Sequence, residues 1–328
     1  MAWVPDMDPS ETLGPEVFIE ELMSLLGQAL TKMEVSEHYE TIRELGRGTY
    51  GSVQLVRHRV QGTLMALKLM DKRTTRVRCF LREYSVGLFL SPHPFISTAL
   101  GIAFESQGYY AFLQEYAPIG DLFDLIRPME GIPEPAAKRC SLQLSLALDH
   151  LHSRGLVHRD VKPDNVLLFD AECRRVKLAD FGLARPAGLA LGPRCESDLR
   201  PSSPPELSGQ EPRVGCPEDA WALGVLIYGL LTGQFPWENA GPTDRLYRAF
   251  MAWQEGPEDR PPPLGWARLA PAARSMLRGL LAIRPEDRSM VKAVLGYLKQ
   301  PWLEGVGEGS QPRVEEGVGS PKLGLVGS

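Results

Sequence analysis

The chain has 328 residues, of which 43% are hydrophobic, so it can bury one or two substantial cores. Its 32 glycines and 28 prolines are too few for a collagen-like or fully disordered chain, and both classes are excluded. The formal net charge is −5, but residues 1–40 hold nine acidic residues and one lysine, which leaves residues 41–300 mildly basic. A mildly basic body suits a phosphate-bearing ligand and is too weakly charged for nucleic-acid binding.

The cysteines and the apolar runs indicate the compartment. Five cysteines lie far apart without a CxxC pair, which argues against a disulfide framework or a zinc site and favours a reducing environment. The first ten residues carry acids where a signal peptide carries bases. The longest apolar run, 221–233, is too short to span a bilayer. We therefore expect a cytoplasmic protein without a membrane span.

The predicted elements change character along the chain. Residues 1–15 are polar and loose, and the acidic stretch 16–30 has the apolar spacing of a short amphipathic helix that docks on the protein body or on a partner. Between 39 and 116 the pattern predicts short strands, interrupted by one basic helix over 76–90. From 121 onward the pattern predicts helices over 122–126, 135–153, 221–233, 270–281 and 288–298.

This order predicts an α+β architecture with a strand-rich lobe, a helical lobe and a cleft between them. Seven prolines between 186 and 217 indicate an irregular, exposed segment. The tail after 303 is rich in glycine, serine and glutamate and is predicted to be disordered. We expect an acidic extension over 1–38, lobes over 39–117 and 118–303, and a tail over 304–328.

A glycine-rich stretch between two predicted strands is the first candidate for chemistry. In GRGTYGSV, Gly46, Gly48 and Gly51 would let a hairpin backbone approach phosphate groups closely. A plain hairpin turn is the alternative, and the strand predicted after the glycines disfavours a dinucleotide-binding fold. In the next strand, Lys68 is costly to bury unless it meets anions, and Glu83 on the basic helix is a candidate partner. A solvated edge lysine and a surface glutamate are the alternatives.

The most informative segment runs from LVHRDVKPDNVLLF to KLADFGLAR. It brings four polar residues, Asp160, Lys162, Asn165 and Asp180, onto loops flanked by apolar strands. Asn165 and Asp180 offer hard oxygen ligands for magnesium on a nucleotide. Asp160 could accept a hydroxyl proton, and Lys162 could neutralise charge on a transferring phosphoryl group. Each residue alone could be an ordinary loop residue, but the joint pattern is hard to reach by chance.

Over residues 40–303 the sequence closely resembles the eukaryotic protein kinases, with GRGTYGSV, MALK, Glu83, HRDVKPDN, DFG, PPE and DAWALG in the family's order. Within that family, segments such as CRRVKLADFG and TGQFPWE look like the Src-homology-3-binding-domain serine/threonine kinases. The resemblance implies a bilobal protein-kinase fold, with a small β-rich N-lobe and a larger helical C-lobe around an ATP cleft. It also implies transfer of the ATP γ-phosphate to a protein serine or threonine, with Mg²⁺.

The resemblance assigns roles residue by residue. Asp160 would be the catalytic base beside Lys162, whose place two residues later is similar to the serine/threonine pattern, and Asn165 and Asp180 would bind magnesium. Gln114 would guard the pocket behind adenine, which Glu115 and Ala117 would bind through their backbone. The residues that would bind the nucleotide are Leu45, Gly46, Gly48, Gly51, Val53, Ala66, Lys68, Glu83, Glu115, Ala117 and Asp121.

The resemblance also implies structural partners. Glu206 would pair with Arg288, and Asp219 would hold the HRD backbone. Arg159 resembles the arginine that receives an activation-loop phosphate, and Ser197 is the best acceptor in this chain. We favour a loop that needs no phosphate, in a kinase that is constitutively active or inert, because the threonine that usually takes the phosphate is missing.

Several positions depart from the family's pattern. Leu199 occupies the place of a threonine that normally bonds the catalytic aspartate and lysine, and Ser202 occupies a tyrosine's place. Gly87 replaces the bulky apolar residue that normally supports the active position of the helix that carries Glu83. A pseudokinase, acting as an ATP-binding or protein-interaction module, is therefore the alternative function. Proline-rich stretches at 200–204 and 260–266 make a proline-motif-binding partner a further hypothesis.

Overall fold

The computed structural model describes residues 14–48, 51–191, 200–208, 213–257 and 260–304. Its first part is a helix followed by a sheet lobe. The helices of this part are α1 (Pro15–Gln28), α2 (Val35–His38) and α3 (Val77–Leu90). Its strands are β1 (Thr31–Lys32), β2 (Tyr39–Gly48), β3 (Gly51–His58), β4 (Leu64–Asp71), β5 (Ala99–Glu105) and β6 (Tyr109–Glu115).

The six strands form one sheet in the order β1-β5-β6-β4-β3-β2. All neighbours are antiparallel except β1, which pairs with β5 in parallel and ties the segment after α1 to the sheet edge. Helix α3 packs against the sheet through Phe80, whose ring lies 5.2 Å from that of Tyr110 and 6.3 Å from that of Phe112. The strand-rich lobe with a single long helix, predicted from the alternating pattern, is confirmed.

The second part is helical. Its helices are α4 (Glu134–Ser153), α5 (Cys216–Thr232), α6 (Arg245–Gln254) and α7 (Pro271–Leu280). Its short strands are β7 (Gly120–Asp121), β8 (Leu156–Val157), β9 (Val166–Leu168), β10 (Val176–Leu178) and β11 (Arg185–Pro186). Strands β10, β9 and β7 form a small sheet, and β11 pairs with β8. These short strands carry the loops on which the candidate site residues lie.

Helix α5 forms the centre of the helical lobe. Every residue from Glu218 to Thr232 is buried, as expected for a helix that is apolar on all sides. Trp221 and Trp237 are fully buried with ring centroids 5.4 Å apart. Gly233 follows α5 with a φ of 71°, a left-handed conformation that glycine adopts without strain and that ends the helix. The longest apolar run, predicted as a helix, therefore forms part of the core.

Two predicted helices are corrected. The stretch 122–126 contains only a 3-10 turn, Phe123–Leu125, because the Asp121 carboxylate binds the first backbone N–H groups and Pro128 follows two residues after the stretch. The stretch 288–298 is a 3-10 run, Val291–Tyr297, in which two β-branched valines and a glycine disfavour an α-helix. In the described ranges, no helix is both long and apolar enough to cross a membrane.

Candidate active site

The glycine-rich stretch is a hairpin between β2 and β3. Gly48 pairs with Gly51, and Gly46 pairs with Val53, so a strand follows the glycines as expected. A Cβ added at Gly51 would lie 1.8 Å from the Leu69 carbonyl oxygen, so the sheet itself requires a glycine there. A Cβ added at Gly46 or Gly48 would meet no atom within 4 Å. These two glycines leave open space beside the hairpin, and residues 49 and 50 lie outside the described ranges.

Lys68 lies on β4 and joins three elements. Its Nζ is 2.5 Å from Glu83 Oε1 on α3 and 3.2 Å from Asp180 Oδ2 after β10. Burial acts to lower the pKa of Lys68, but the two carboxylates outweigh it and raise that pKa above its usual value. The lysine is therefore a permanent cation, and its predicted pairing with Glu83 is confirmed.

Asp180 opens the DFG turn in an uncommon backbone conformation. Its φ is 64°, in the left-handed region that costs a non-glycine residue about 1–2 kcal/mol. Its Oδ1 accepts the Gly182 N–H at 3.2 Å. Burial acts to raise the pKa of Asp180, but the Lys68 charge and this N–H outweigh it and hold the pKa below its usual value. Asp180 is thus an anion that remains partly exposed beside Lys68.

The Asp160 carboxylate has partners on both of its oxygens. Its Oδ2 accepts the Asn165 amide at 2.9 Å and lies 3.0 Å from Lys162 Nζ, while its Oδ1 accepts Arg200 Nη1 at 2.9 Å. Asn165 also donates to the Asp160 backbone carbonyl over 2.8 Å. The predicted residues Asp160, Lys162 and Asn165 lie together. Arg200 contacts the same carboxylate, and no motif or spacing in the sequence predicted this contact.

Asp219 holds the turn before Asp160. The carboxylate is fully buried and accepts the backbone N–H groups of His158 and Arg159, each at 2.8 Å, as predicted. Arg159 adopts a φ of 69°, so this turn is strained and needs such support. Burial acts to lower the pKa of His152, but its 2.8 Å hydrogen bond to Asp219 and the negative charge of that carboxylate raise the pKa to about 10.

The remaining predicted nucleotide residues line up along the strands and the link between the lobes. Ala66 is buried on β4 opposite Gln114, and Leu45 and Val53 are half-buried on the hairpin. Ala117 is buried just after β6, and Asp121 ends β7. The Glu115 N–H donates to the Thr98 carbonyl at 3.0 Å, so an adenine contact by the Glu115 backbone would have to use its carbonyl.

The Glu115 side chain has a role that sequence reasoning missed. Its carboxylate binds the ammonium of buried Lys177 and accepts the Thr98 N–H at 2.7 Å. Arg175 lies 3.5 Å from the same carboxylate. A buried lysine needs an anion, and the signal was available in the apolar run around Lys177. This cluster connects β6 of the sheet lobe to β10 of the helical lobe.

The segment before α5 is anchored by the predicted ion pair. Arg288, whose side chain is fully buried, binds Glu206 through both terminal nitrogens at 2.5 and 2.7 Å. Arg159 does not reach into solvent, since its Nε lies 3.3 Å from Glu218 Oε2 and its side chain is 5% exposed. The expectations for Ser197 and Leu199 fall outside the described ranges.

The chain is similar to a known protein family and to several known proteins. The model of the protein kinase domain family matches residues 39–303. The chain is 49% identical over 289 residues to the zebrafish serine/threonine-protein kinase SBK1, a match covering 87% of this chain and 74% of the relative. It is 47% identical over 305 residues to the mouse serine/threonine-protein kinase SBK2, covering 90% and 83%. The fruit-fly serine/threonine-protein kinase meng-po is 35% identical over 280 residues, covering 84% and 61%.

The matched residues begin at the first strand of the glycine hairpin and end after the last 3-10 run, so they include every residue of the candidate site. The resemblance inferred from the motifs and the bilobal fold are both confirmed. The chain belongs to the protein kinase family and, within it, to the Src-homology-3-binding-domain serine/threonine kinases.

Proposed function

We propose that this protein transfers the γ-phosphate of ATP to serine or threonine hydroxyls of protein substrates. The observation that supports this most directly is Lys68, a cation shared by Glu83 and Asp180 at 2.5 and 3.2 Å. Phosphoryl transfer needs little covalent machinery and depends on positioning and charge stabilisation. A fixed ammonium beside an anionic, partly exposed Asp180 is suited to that task.

The nucleotide would lie between the glycine hairpin and the loops after β9 and β10. Open space beside Gly46 and Gly48 would admit its phosphates, with Gly51, Val53, Ala66 and the other predicted residues around it. Lys68 would bind the phosphates. In the described ranges, no three His, Cys, Asp or Glu side chains could hold a metal alone, so the phosphates would have to complete a magnesium site.

Asn165 and Asp180 fit the chemistry of a magnesium site. The Asn165 amide nitrogen is occupied by Asp160, so its amide oxygen is the atom left for a cation. Asp180 supplies a carboxylate whose pKa is held low. Hard oxygens of this kind, supplemented by phosphates and water, are the ligands that Mg²⁺ prefers. When bound, magnesium would neutralise charge that develops on the phosphate oxygens.

Asp160 would accept the proton of the substrate hydroxyl. The carboxylate is held in place by Asn165 and stays near Lys162, whose ammonium would stabilise the transferring phosphoryl group. The pseudokinase alternative drew on Leu199 and Gly87. Leu199 lies outside the described ranges, and α3 with Gly87 still brings Glu83 to Lys68. We therefore favour the enzyme.

A phosphate-transfer assay tests the proposal. Purified protein with radiolabelled ATP and magnesium is expected to label casein on serine or threonine, as identified by phosphoamino-acid analysis. Lys68→Met should abolish transfer while the fold is kept, because methionine has a similar volume but no charge. Asp160→Asn should lower turnover by about 10²–10⁴. Equal labelling by wild type and both variants would trace the activity to a contaminant and contradict the proposal.

We propose three further features: the domain bounds, the location and a class of partner. We propose that the lobes occupy 39–117 and 118–303, flanked by an extension over 1–38 and a tail over 304–328. A cytoplasmic location is favoured by the four free thiols of the described cysteines, Cys79, Cys140, Cys173 and Cys216. A proline-motif-binding partner has most support at 260–266, where Leu264 is 95% exposed while Trp266 anchors the stretch in the core. The stretch 200–204 is partly buried, as a loop would be.

A further inference from the structure

Arg200 lies in the segment that precedes α5 and contacts the proposed catalytic base. Its Nη1 donates to Asp160 Oδ1 over 2.9 Å, while Oδ2 of the same carboxylate faces Lys162 and Asn165. Two cations therefore share one anion in the protein without substrate. One positive charge is in excess at the point where a substrate hydroxyl would arrive.

Hydrogen bonds hold the backbone of Arg200 and of the residues that follow it. The Arg200 N–H donates to Ser203 Oγ at 3.0 Å, and the Ser203 N–H donates back to the Arg200 carbonyl at 2.9 Å. The indole N–H of buried Trp237 donates to the Pro201 carbonyl at 3.0 Å. The ion pair between Glu206 and buried Arg288 anchors the residues that follow.

The end of the Arg200 side chain is open to a ligand. The side chain is 57% exposed, against 15% for Asp160. A cavity of about 200 Å³ adjoins the contact, and its lining includes Arg159, Asp160, Leu183, Arg200, Ser202 and Leu207. Arg159 is paired with Glu218, whereas Arg200 shares the Asp160 carboxylate with Lys162, so these two cations have one anion between them. The planar guanidinium fork matches a carboxylate better than any other side chain does.

We propose that Arg200 selects substrates by binding an aspartate or glutamate next to the serine or threonine that is phosphorylated, an inference that rests on the proposed function. The substrate carboxylate takes the guanidinium, and Asp160 Oδ1 is released to receive the substrate hydroxyl. Each anion then faces one cation, Arg200 for the substrate and Lys162 for Asp160. An acidic substrate would thus free Asp160 to accept the proton of that substrate's own hydroxyl.

The experiment uses the full chain and serine-centred peptide libraries. The residue directly before or directly after the serine is fixed as Asp, Asn or Lys, and the other positions are random. At one of the two positions, the wild type should phosphorylate the Asp library about 5- to 10-fold faster than the Asn library, the scale of one exposed but bidentate ion pair. Arg200→Gln should bring this ratio close to one, and Arg200→Glu should favour Lys over Asp.

Two further variants serve as controls. Arg200→Lys should retain part of the preference, because the charge remains and the fork is lost. Arg213→Gln changes an exposed arginine of the same segment, which donates to the Gly188 carbonyl, and should keep the wild-type ratio.

Three results would overturn the proposal. The first is a preference for Asp that persists in Arg200→Gln, and the second is an equal loss of rate toward every library. The third is a raised KM for ATP with an unchanged library ratio, which would assign Arg200 to the nucleotide phosphates. Failure of the proposed function is a separate result, since the wild type would then phosphorylate none of the libraries.

Discussion

The two aspartates of the site, Asp160 and Asp180, have the same side chain but different surroundings. Asp160 is 15% exposed and fixed by the Asn165 amide, whereas Asp180 is 42% exposed and faces Lys68. The first is placed to receive a proton from a substrate held over it. The second presents oxygens outward, where a metal and phosphates would lie. The proposed division of labour between them follows from position, not from residue type.

Substituting each aspartate by asparagine separates the two roles. Asp180→Asn should weaken ATP binding in the presence of magnesium more than in its absence, because it removes an anionic ligand of the metal. Asp160→Asn should leave nucleotide affinity unchanged and lower turnover. Calorimetric titration of ATP, with and without magnesium, measures the first effect. An equal loss of affinity under both conditions for Asp180→Asn, or a matched loss in Asp160→Asn, would contradict this assignment.

Gly87 departs from the family's pattern, and its surroundings in the structure predict the effect of a substitution. It lies inside α3, where a Cβ would lie 3.8 Å from both Ala99 Cβ and Phe181 Cδ2, an ordinary contact distance. Gly87→Ala should therefore stabilise the protein by about 1 kcal/mol, since glycine in a helix interior costs that much relative to alanine. We expect the unfolding midpoint to rise by about 2–4 °C in a calorimetric scan.

The same substitution at Gly224 in α5 is the matched control. A Cβ there would lie 2.8 Å from Leu281 Cδ2, so Gly224→Ala should lower the midpoint. Shifts of the same sign in both variants would show that helix propensity alone, and not the space beside Phe181, decides the result.

The contacts that could be predicted from the sequence are those between two residues of known motifs. Lys68 with Glu83, and Glu206 with Arg288, were predicted because each residue has a fixed place in a family pattern. Arg200 and Glu218 were missed because no spacing rule links them to Asp160 and Arg159. The left-handed φ values of Arg159 and Asp180 were also invisible, since neither residue type requires them.

Among the elements, α1 has the most informative packing. Ile19 and Met23 are each 4% exposed and belong to the main hydrophobic core. Phe18 packs on Phe89 of α3 with ring centroids 4.9 Å apart, and Glu20 lies 2.8 Å from Arg78 of the same helix. Since α3 also carries Glu83, α1 braces the helix that completes the Lys68 ion pair. The helix predicted over 16–30 docks on the protein body, one of the two alternatives that the pattern left open.

Truncating the buried face of α1 tests this bracing. Ile19→Ala and Met23→Ala should each cost about 2–5 kcal/mol of stability, as large-to-small changes in a core do. They should also lower kcat in the folded protein, because α3 loses packing behind Glu83. Leu25→Ala, on the same helix but 65% exposed, is the control and should change neither quantity. A lower unfolding midpoint with an unchanged kcat would reduce α1 to a purely structural element.

Helix and strand prediction succeeded where periodicity was long. The runs that became α4 and α7 were predicted within one residue at each end, and the run that became α5 within five, because a long apolar run has few alternatives. The ten-residue helix α6 was not predicted. Short runs failed, since three to seven residues cannot separate an α-helix from a 3-10 turn by pattern alone. The surface against which α1 packs also could not be predicted, because an amphipathic pattern identifies the buried face of a helix but not its partner.

Over the whole molecule, contacts between distant segments tie the two lobes together. Glu115, one of the proposed nucleotide-binding residues, and Lys177 join the sheet lobe to the helical lobe. Pro15, at the start of α1, lies beside Gly155 of the helical lobe, where a Cβ would be 2.8 Å from the proline ring. The α+β architecture followed from composition and element order, but these ties join residues too far apart in sequence for any local pattern to predict.

The surroundings of Arg159 decide whether the activation loop needs a phosphate. A phosphate on the activation loop would act by pairing with Arg159. That guanidinium is already buried against Glu218, whose other oxygen accepts the Gly215 N–H at 3.0 Å at the start of α5. The chain thus supplies its own anion at the position where a phosphate would act. A buried charge that has its partner gains little from a second one.

We therefore predict that kinase activity does not depend on phosphorylation of Ser197. Phosphatase-treated protein should phosphorylate substrate at the rate of untreated protein, and Ser197→Ala should match the wild type. Glu218→Gln should instead lower stability by about 3–5 kcal/mol, since it leaves Arg159 buried without a counter-charge. In that variant, an added anion such as a Ser197→Asp carboxylate could pair with Arg159, which has lost its own carboxylate partner. A large loss of activity after phosphatase treatment, restored by Ser197→Asp in the otherwise unchanged chain, would show that Glu218 does not replace the phosphate.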